Sequence, residues 1–345
     1  MMVSIGILAH NEESDIGNVI RDIGLQKLLR NDNLTLQIHI VANGCVDATV
    51  RVAKEALFDD SFRKKNITTF VHNIQQSGKS NAWNQLIHTF VSPNTEFIFL
   101  LDADIRIPED TTLQLLLDGL VRSEIARVAV DSSVKDLSLT ASKSLQEWVI
   151  VNASGTAHDA RKALAGGLYC ARFDVLKGIW MPIGLPGEDG FLRAMILTSN
   201  FTEDENSDRL IFVEGARHIF ESEKNIRDVF HHNIRLAIGT GINVLLFKHF
   251  RQCLSKDADV VDYIRKRNAA DPNWINEIIA SRIGQGRYLL MDKSFIFRRL
   301  KWLRTLSVYD QLRKFPIVLL GSIFDLALFF TANYLMRKGV GAGYW

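Results

Sequence analysis

Short apolar runs alternate with stretches of helical periodicity through roughly the first two thirds of the chain. Val3 to Ala9 is an apolar run that stops at the polar cluster His10-Asn11-Glu12-Glu13. Ser14 or Asp15 is placed to cap a helix running to about Leu29. Leu36 to Val41 is a second, β-branched run, closed by Ala42-Asn43-Gly44. A helix is expected over Ala48–Leu57, a strand over Thr68–His72 and a helix over Ser80–Phe90. Phe97 to Leu101 is a fully apolar strand that ends at Asp102. Further on, the pattern predicts helix over Asp110–Arg122, strand over Arg127–Asp131 and helix over Ser142–Val151. Ala165 to Tyr169 is a small-residue turn feeding a short strand. Pro182 to Gly190 reads as a loop, Phe191 to Leu197 as the start of a helix, and Arg209 to Val213 as another strand. Strands without internal polar alternation, spaced by helices, predict an α/β fold with a mainly parallel, doubly wound sheet. Such sheets bind ligands beyond the carboxyl ends of their strands. Three polar clusters fall there: Asn11-Glu12, Asn43 to Asp47, and Asp102 to Asp104.

The pattern changes near residue 225 and becomes mostly helical and basic. The expected division is a catalytic domain at 1–230 and a helical region at 231–345. Ser294 to Lys314 combines positive charge with aromatics, as an amphipathic helix at a membrane surface does. Phe315 to Leu335 is nearly apolar for 21 residues between Arg313-Lys314 and Arg337-Lys338. That length spans a bilayer. Asp325, Asn333 and Pro316 oppose a simple crossing, so a span, an interfacial or re-entrant segment and a packed soluble helix all stay open.

Composition sharpens this picture in two ways. Apolar residues are 47% of the 345, which excludes wholesale disorder. The net charge of +2 hides an asymmetry: residues 231–345 carry 18 Lys/Arg against 8 Asp/Glu, a net +10, leaving about −8 for the front. An acidic front suits a bound cation, and a basic tail suits an anionic surface. Cys45, Cys170 and Cys253 form no Cys-x-x-Cys pair, so neither a zinc site nor a disulfide framework is indicated. The N-terminus has no basic stretch and no cleavage site of a signal peptide. No nucleic-acid module is visible.

Asp102-Ala103-Asp104 carries the chemistry. Two carboxylates directly after a buried strand are costly unless a cation meets them. Mg²⁺ or Mn²⁺ shared with diphosphate oxygens meets that need; a solvated turn ahead of Pro108-Glu109-Asp110 is the plain alternative.

At this point the motif order resembles the inverting glycosyltransferases of family 2, whose fold is called GT-A and is Rossmann-like. The matching segments are Ile7 to Glu13, Ala42 to Thr49, Gly78 to Asn84, Asp102 to Asp104 and Gly187 to Asp189. The similarity runs over about residues 3–240. It implies a nucleotide-diphosphate sugar donor, with UDP favoured, a hydroxyl acceptor, a divalent metal and direct displacement with inversion.

By that resemblance Ala9, Asn11 and Glu12 line the nucleoside, and Asn43 and Asp47 lie near base and ribose. Asn43-Gly44 also reads as a plain turn, and Ala42 and Asn43 stand where the family often has Asp. Lys79 opens a helix and meets the diphosphate or base, or is simply solvated. Asp102 faces the ribose or a metal-bound water, and Asp104 ligates the metal. Gly166-Gly167 lets the donor sugar approach the backbone, though a tight turn looks the same. Asp189 is the candidate base with Glu188 as helper; an acidic pair at a helix N-terminus is the alternative. Arg235, in His232-Asn233-Ile234-Arg235-Leu236, matches the family's Gln-x-x-Arg-Trp as a diphosphate clamp. The absent Gln and Trp argue against a processive polymerase. His231 and His232 point in different directions on a helix, so at most one ligates metal. The tail places the chain at the cytoplasmic face of a membrane, with a lipid or membrane-bound glycan as acceptor; a soluble cytoplasmic protein is the alternative. Two rival functions are a sugar nucleotidyltransferase, which needs a Gly-rich phosphate loop after the first strand, and a non-catalytic sugar- or lipid-binding scaffold.

Overall fold

The computed structural model describes residues 1–139, 163–223, 225–255, 258–284 and 289–339. The helix expected over Ser142–Val151 lies outside these residues. The described chain divides into two compact units: residues 1–136, 163–181 and 191–221 form the first, and residues 137–139, 182–190 and 222–339 the second.

The first unit is built on an eight-stranded sheet in the order β3-β2-β1-β4-β7-β6-β8-β5. Its strands are β1 (Met2–Ala9), β2 (Thr35–Asn43), β3 (Ile67–Ile74), β4 (Phe97–Asp102), β5 (Ile105–Arg106), β6 (Val128–Lys135), β7 (Leu168–Arg172) and β8 (Leu210–Phe220). The four strands β3-β2-β1-β4 pair in parallel, as their continuous apolar character predicts. Beyond β4 the sheet is mixed: β7 runs antiparallel to β4 and β6, while β6 and β8 are parallel. Val3, Ile5 and Ile7 of β1 and Phe99 and Leu101 of β4 are buried together with Ile16, Val19, Ile20 and Ile23 of α1 (Ile16–Leu25). Leu113, Leu116, Leu117 and Leu120 of α4 (Thr112–Arg122) complete that core. Between these helices lie α2 (Thr49–Ala56) and α3 (Lys79–Gln85). After β7 comes α5 (Phe173–Lys177).

Several boundaries differ from the periodicity. The helix expected to reach Leu29 stops at Leu25, and Lys27–Arg30 forms a separate 3₁₀ turn. The helix expected over Ser80–Phe90 keeps α geometry only to Gln85; Leu86–Phe90 widens to a π turn. β8 reaches Phe220 rather than Val213, because its far half finds partners on β6 and β5. Helix α6 (Glu188–Leu197) starts at Glu188, not Phe191, so the acidic pair is its first turn and not a loop.

The second unit is helical: α7 (Ile226–Leu254), α8 (Val260–Ala270), α9 (Trp274–Gly284), α10 (Arg298–Leu303) and α11 (Val308–Arg337). The single amphipathic helix expected over Ser294–Lys314 is broken. Ser307 caps a new helix by accepting the Asp310 N–H at 3.2 Å, which ends the preceding turn. Helix α11 then runs unbroken through Pro316 for 30 residues. Among the described residues it is the one helix long and apolar enough to cross a membrane. Asp325, in its apolar stretch, is fully buried and takes paired hydrogen bonds from Arg298 (2.8 and 2.9 Å) and from Arg299 (2.9 and 3.3 Å).

Candidate active site

The carboxyl ends of β1, β2 and β4 gather most of the sequence-derived candidates. At the end of β1, Ala9 is buried and Asn11 takes a left-handed backbone (φ 56°), which Asn tolerates better than most residues. The Asn11 Oδ1 accepts the Val46 N–H at 2.8 Å. The Glu12 N–H donates to Thr49 Oγ1 at 2.7 Å, and the Glu13 N–H to Asp47 Oδ2 at 3.1 Å. The other Asp47 oxygen accepts the Thr49 hydroxyl at 2.5 Å and the Thr49 N–H at 3.0 Å. Desolvation pushes the Asp47 carboxyl upward, but these hydrogen bonds prevail and hold it below its ordinary value.

Asn43 is buried, and both ends of its amide are committed to backbone. Its Nδ2 donates to Ala9 O at 2.8 Å, and its Oδ1 accepts the Gly78 N–H at 3.0 Å. Gly44 (φ 62°) adds a close approach: a Cβ there would lie 2.7 Å from that of Ser77. Asn43 and Asp47 therefore stitch the loops after β1 and β2 to each other and to the turn before α3.

Lys79, at the start of α3, pairs with Asp102: Nζ lies 2.7 Å from Oδ1 and 2.9 Å from Oδ2. Asp102 is the last residue of β4, and its N–H donates to Gly167 O at 3.0 Å. Asp104 is open to solvent, yet desolvation by the atoms around it, followed by the Asp102 charge, raises its carboxyl. Glu12 is raised from 4.5 to about 7, first by desolvation and then by the charges of Asp104, Asp15, Asp102 and Asp47. This end of the sheet thus holds more negative charge than Lys79 offsets.

The glycine at 167 has a specific cause. A Cβ there would meet His218 Nε2 at 2.5 Å. That ring is fixed by Asp131, with Nδ1 2.8 Å from Oδ2 and both residues buried. Asp131 and His218 were not among the candidates; they come from β6 and β8, 87 residues apart, and no local motif announces them.

In the second unit, the Gly187-Glu188-Asp189-Gly190 turn is held by α7. Gly187 and Gly239 pack backbone to backbone, since a Cβ on Gly239 would lie 2.9 Å from Gly187 Cα. Asn243 Nδ2 donates to Gly187 O at 2.7 Å. Arg235, Gly239 and Asn243 follow one another at four-residue spacing and so share one face of α7. Gly239 and Asn243 also escaped the sequence reading. The Arg235 Nε is buried with no hydrogen-bond partner. His231 and His232 are both exposed, and His232 lies 3.4 Å from Glu223.

Among the described residues, no three His, Cys, Asp or Glu side chains converge closely enough to hold a metal by themselves. A divalent cation fits the excess carboxylate charge of Glu12, Asp102 and Asp104 only if the ligand it accompanies supplies further oxygens.

Residues 4–158 match the family model for glycosyl transferase family 2. No curated protein sequence matches the chain. Among solved structures, the chain is similar to the mannosyltransferase PcManGT from Pyrobaculum calidifontis in complex with GDP-Man and Mn²⁺. The TM-score is 0.55 at 14% identity, covering 98% of this chain and 87% of that one. It also matches glucosyl-3-phosphoglycerate synthase from Mycobacterium tuberculosis in complex with Mg²⁺ and UDP, with a TM-score of 0.47, 15% identity, and 71% and 78% coverage. At 14% identity the likeness to PcManGT is one of fold, and that fold is GT-A.

Proposed function

We propose that the chain, whose residues 4–158 match the family model for glycosyl transferase family 2, moves a sugar, with inversion, from a nucleotide-diphosphate donor to an acceptor hydroxyl. UDP is the favoured carrier, and the acceptor is a lipid or a membrane-bound glycan. The observation that supports this reading is the unbalanced carboxylate group at the sheet's carboxyl end, where Glu12 is raised to about 7. A site built to receive a cation with a diphosphate carries such an excess.

The first unit holds the donor. Ala9, Asn11 and Glu12 border the nucleoside, while Asn43 and Asp47 act by fixing the loops that carry those residues. Asp104 and Asp102 would hold Mg²⁺ or Mn²⁺, with Lys79 orienting Asp102. Bound metal supplies Lewis-acid neutralisation of the leaving diphosphate. Gly166 and Gly167 leave room for the sugar. Asp189, supported by Glu188, takes the proton of the acceptor hydroxyl. That oxygen forms its bond to the anomeric carbon as the bond to the diphosphate breaks and the nucleotide leaves. Arg235, whose Nε has no partner, offers a guanidinium to the departing diphosphate.

The direct experiment incubates the protein with a panel of UDP- and GDP-sugars and Mn²⁺ and follows nucleotide release. Slow hydrolysis of one donor, stopped by EDTA, is expected; no release from any donor would sink the reading. Asp189→Asn keeps the shape and removes the base, so transfer falls roughly 10²–10⁴-fold while donor affinity holds. Parallel loss of donor binding would move Asp189 to the donor side. Arg235→Ala lowers nucleotide affinity by calorimetry, and Arg235→Lys recovers part of it. Unchanged affinity in the alanine variant removes the clamp.

A further inference from the structure

Helix α11 is built inside out. Its buried seam carries Asp325 and Asn333, and both are satisfied. Asp325 is held by Arg298 and Arg299 of α10. Asn333 Oδ1 accepts the N–H groups of Leu290 and Met291 at 2.7 and 3.1 Å. The opposite face has no charge from Phe315 to Tyr334. Leu312, Phe315, Leu319, Ile323, Phe330 and Tyr334 recur there at three- and four-residue steps or their sums, and each is exposed, Leu312 by 75% and Ile323 by 59%. Arg313 and Lys314 stand at one end of this face, Arg337 and Lys338 at the other. Polar groups packed inward, an apolar face outward and basic residues at both ends complement an anionic lipid leaflet.

The same contacts decide the orientation. Asp325 lies about 25 Å along a helix of roughly 45 Å, near the middle of the apolar run. Helix α10 starts beside that midpoint, where Arg298, clamped to Asp325, keeps a third of its side chain exposed. If α11 crossed the bilayer, that exposed part of the guanidinium would lie in hydrocarbon, which is costly. Laid flat, the helix buries only its apolar face.

We propose that α11 docks in the plane of an anionic membrane, inserted into one leaflet without crossing it. This rests on the reading of a membrane-borne acceptor and narrows it: the protein rides on the membrane surface.

The test uses the intact chain with vesicles of phosphatidylcholine alone or with phosphatidylserine added. Flotation with the anionic vesicles is expected, and it weakens as salt is raised. Ile323→Glu and Phe330→Glu together lower it roughly tenfold or more, because each places a carboxylate in the leaflet. Both positions are exposed, so an unchanged melting curve is expected; Leu319→Glu provides a second variant. Depth is read with an environment-sensitive dye on single cysteines at 312, 320 and 330, in a background where Cys45 and Cys253 are serine. A shallow lipid quencher should reach all three sites about equally. Three results overturn the inference: no flotation of the wild type, a central site much deeper than the outer two, or a detergent-free dimer that the glutamate pair dissociates. Donor hydrolysis in solution is measured alongside. Intact hydrolysis without flotation defeats the membrane inference alone, and flotation without hydrolysis supports it while defeating the donor reading.

Discussion

The acids at the end of the sheet and the acid inside α11 solve opposite problems. Glu12, Asp102 and Asp104 crowd together with one lysine between them, and their mutual repulsion and desolvation raise Glu12 to about 7. Asp325 is more deeply buried than any of them, yet two arginines meet it through four hydrogen bonds. The first group is left with unmet charge, and the second has more positive charge than it needs. An acid that the fold fully satisfies holds architecture together, whereas acids left in excess mark where a ligand is expected to complete the site.

Breaking the unsatisfied group gives the largest effect on activity. Asp104→Ala abolishes transfer while the melting temperature stays near wild type, because nothing in the core depends on that exposed side chain. Activity near wild type would erase the contrast between the two groups.

Breaking the satisfied group gives the largest effect on stability. Asp325→Asn leaves the buried Arg299 and the partly exposed Arg298 without a counter-charge and costs about 3–5 kcal/mol in urea unfolding. Replacing Asp325, Arg298 and Arg299 together by leucine or methionine recovers most of that loss, since a buried ion group is often no better than well-packed apolar residues. A mild effect for Asp325→Asn alone would mean water reaches the carboxylate.

The smallest effect sharpens the comparison through pH. Glu12 has a folded value of about 7 against an ordinary 4.5, so between these values the folded chain keeps a proton that the unfolded chain has released. Its contribution to stability is fully present below about pH 4.5 and is lost as pH rises through about 7. Thermal melting should show this decline, and Glu12→Gln should flatten it. Mn²⁺ with a nucleoside diphosphate should offset it in the wild type, and an identical slope in both proteins would remove Glu12 from the group.

Much of the first unit was legible because its central strands β1, β2 and β4 are buried along nearly their whole length, and an apolar run that stops abruptly marks a strand end. Leu101-Asp102 is such a stop, and the acid is the final residue of β4. The helix ends were less legible. α6 begins three residues before the expected Phe191 because Gly187 packs on Gly239, a contact with no local signature. The roles of Asn43 and Asp47 were hidden for a similar reason. A carboxamide or carboxylate at a strand end looks the same whether it faces a ligand or latches a loop. Their partners are Ala9, Gly78, Glu13 and Thr49, and only folding brings the more distant of these within reach.

The sequence alone determined the alternation of strand and helix, the clustering of polar groups at strand ends, the resemblance to the family 2 glycosyltransferases, and the presence of a long apolar helix in a basic region. Those properties are set by neighbours along the chain, through periodicity and turn chemistry. Tertiary structure decided which polar groups are satisfied: Asp325 by Arg298 and Arg299, Asn333 by Leu290 and Met291, His218 by Asp131. It also decided which face of α11 stays bare. The cost of burying a charge depends on partners that are remote in the chain and close in space, so the same aspartate is a liability in the linear pattern and an anchor in the fold.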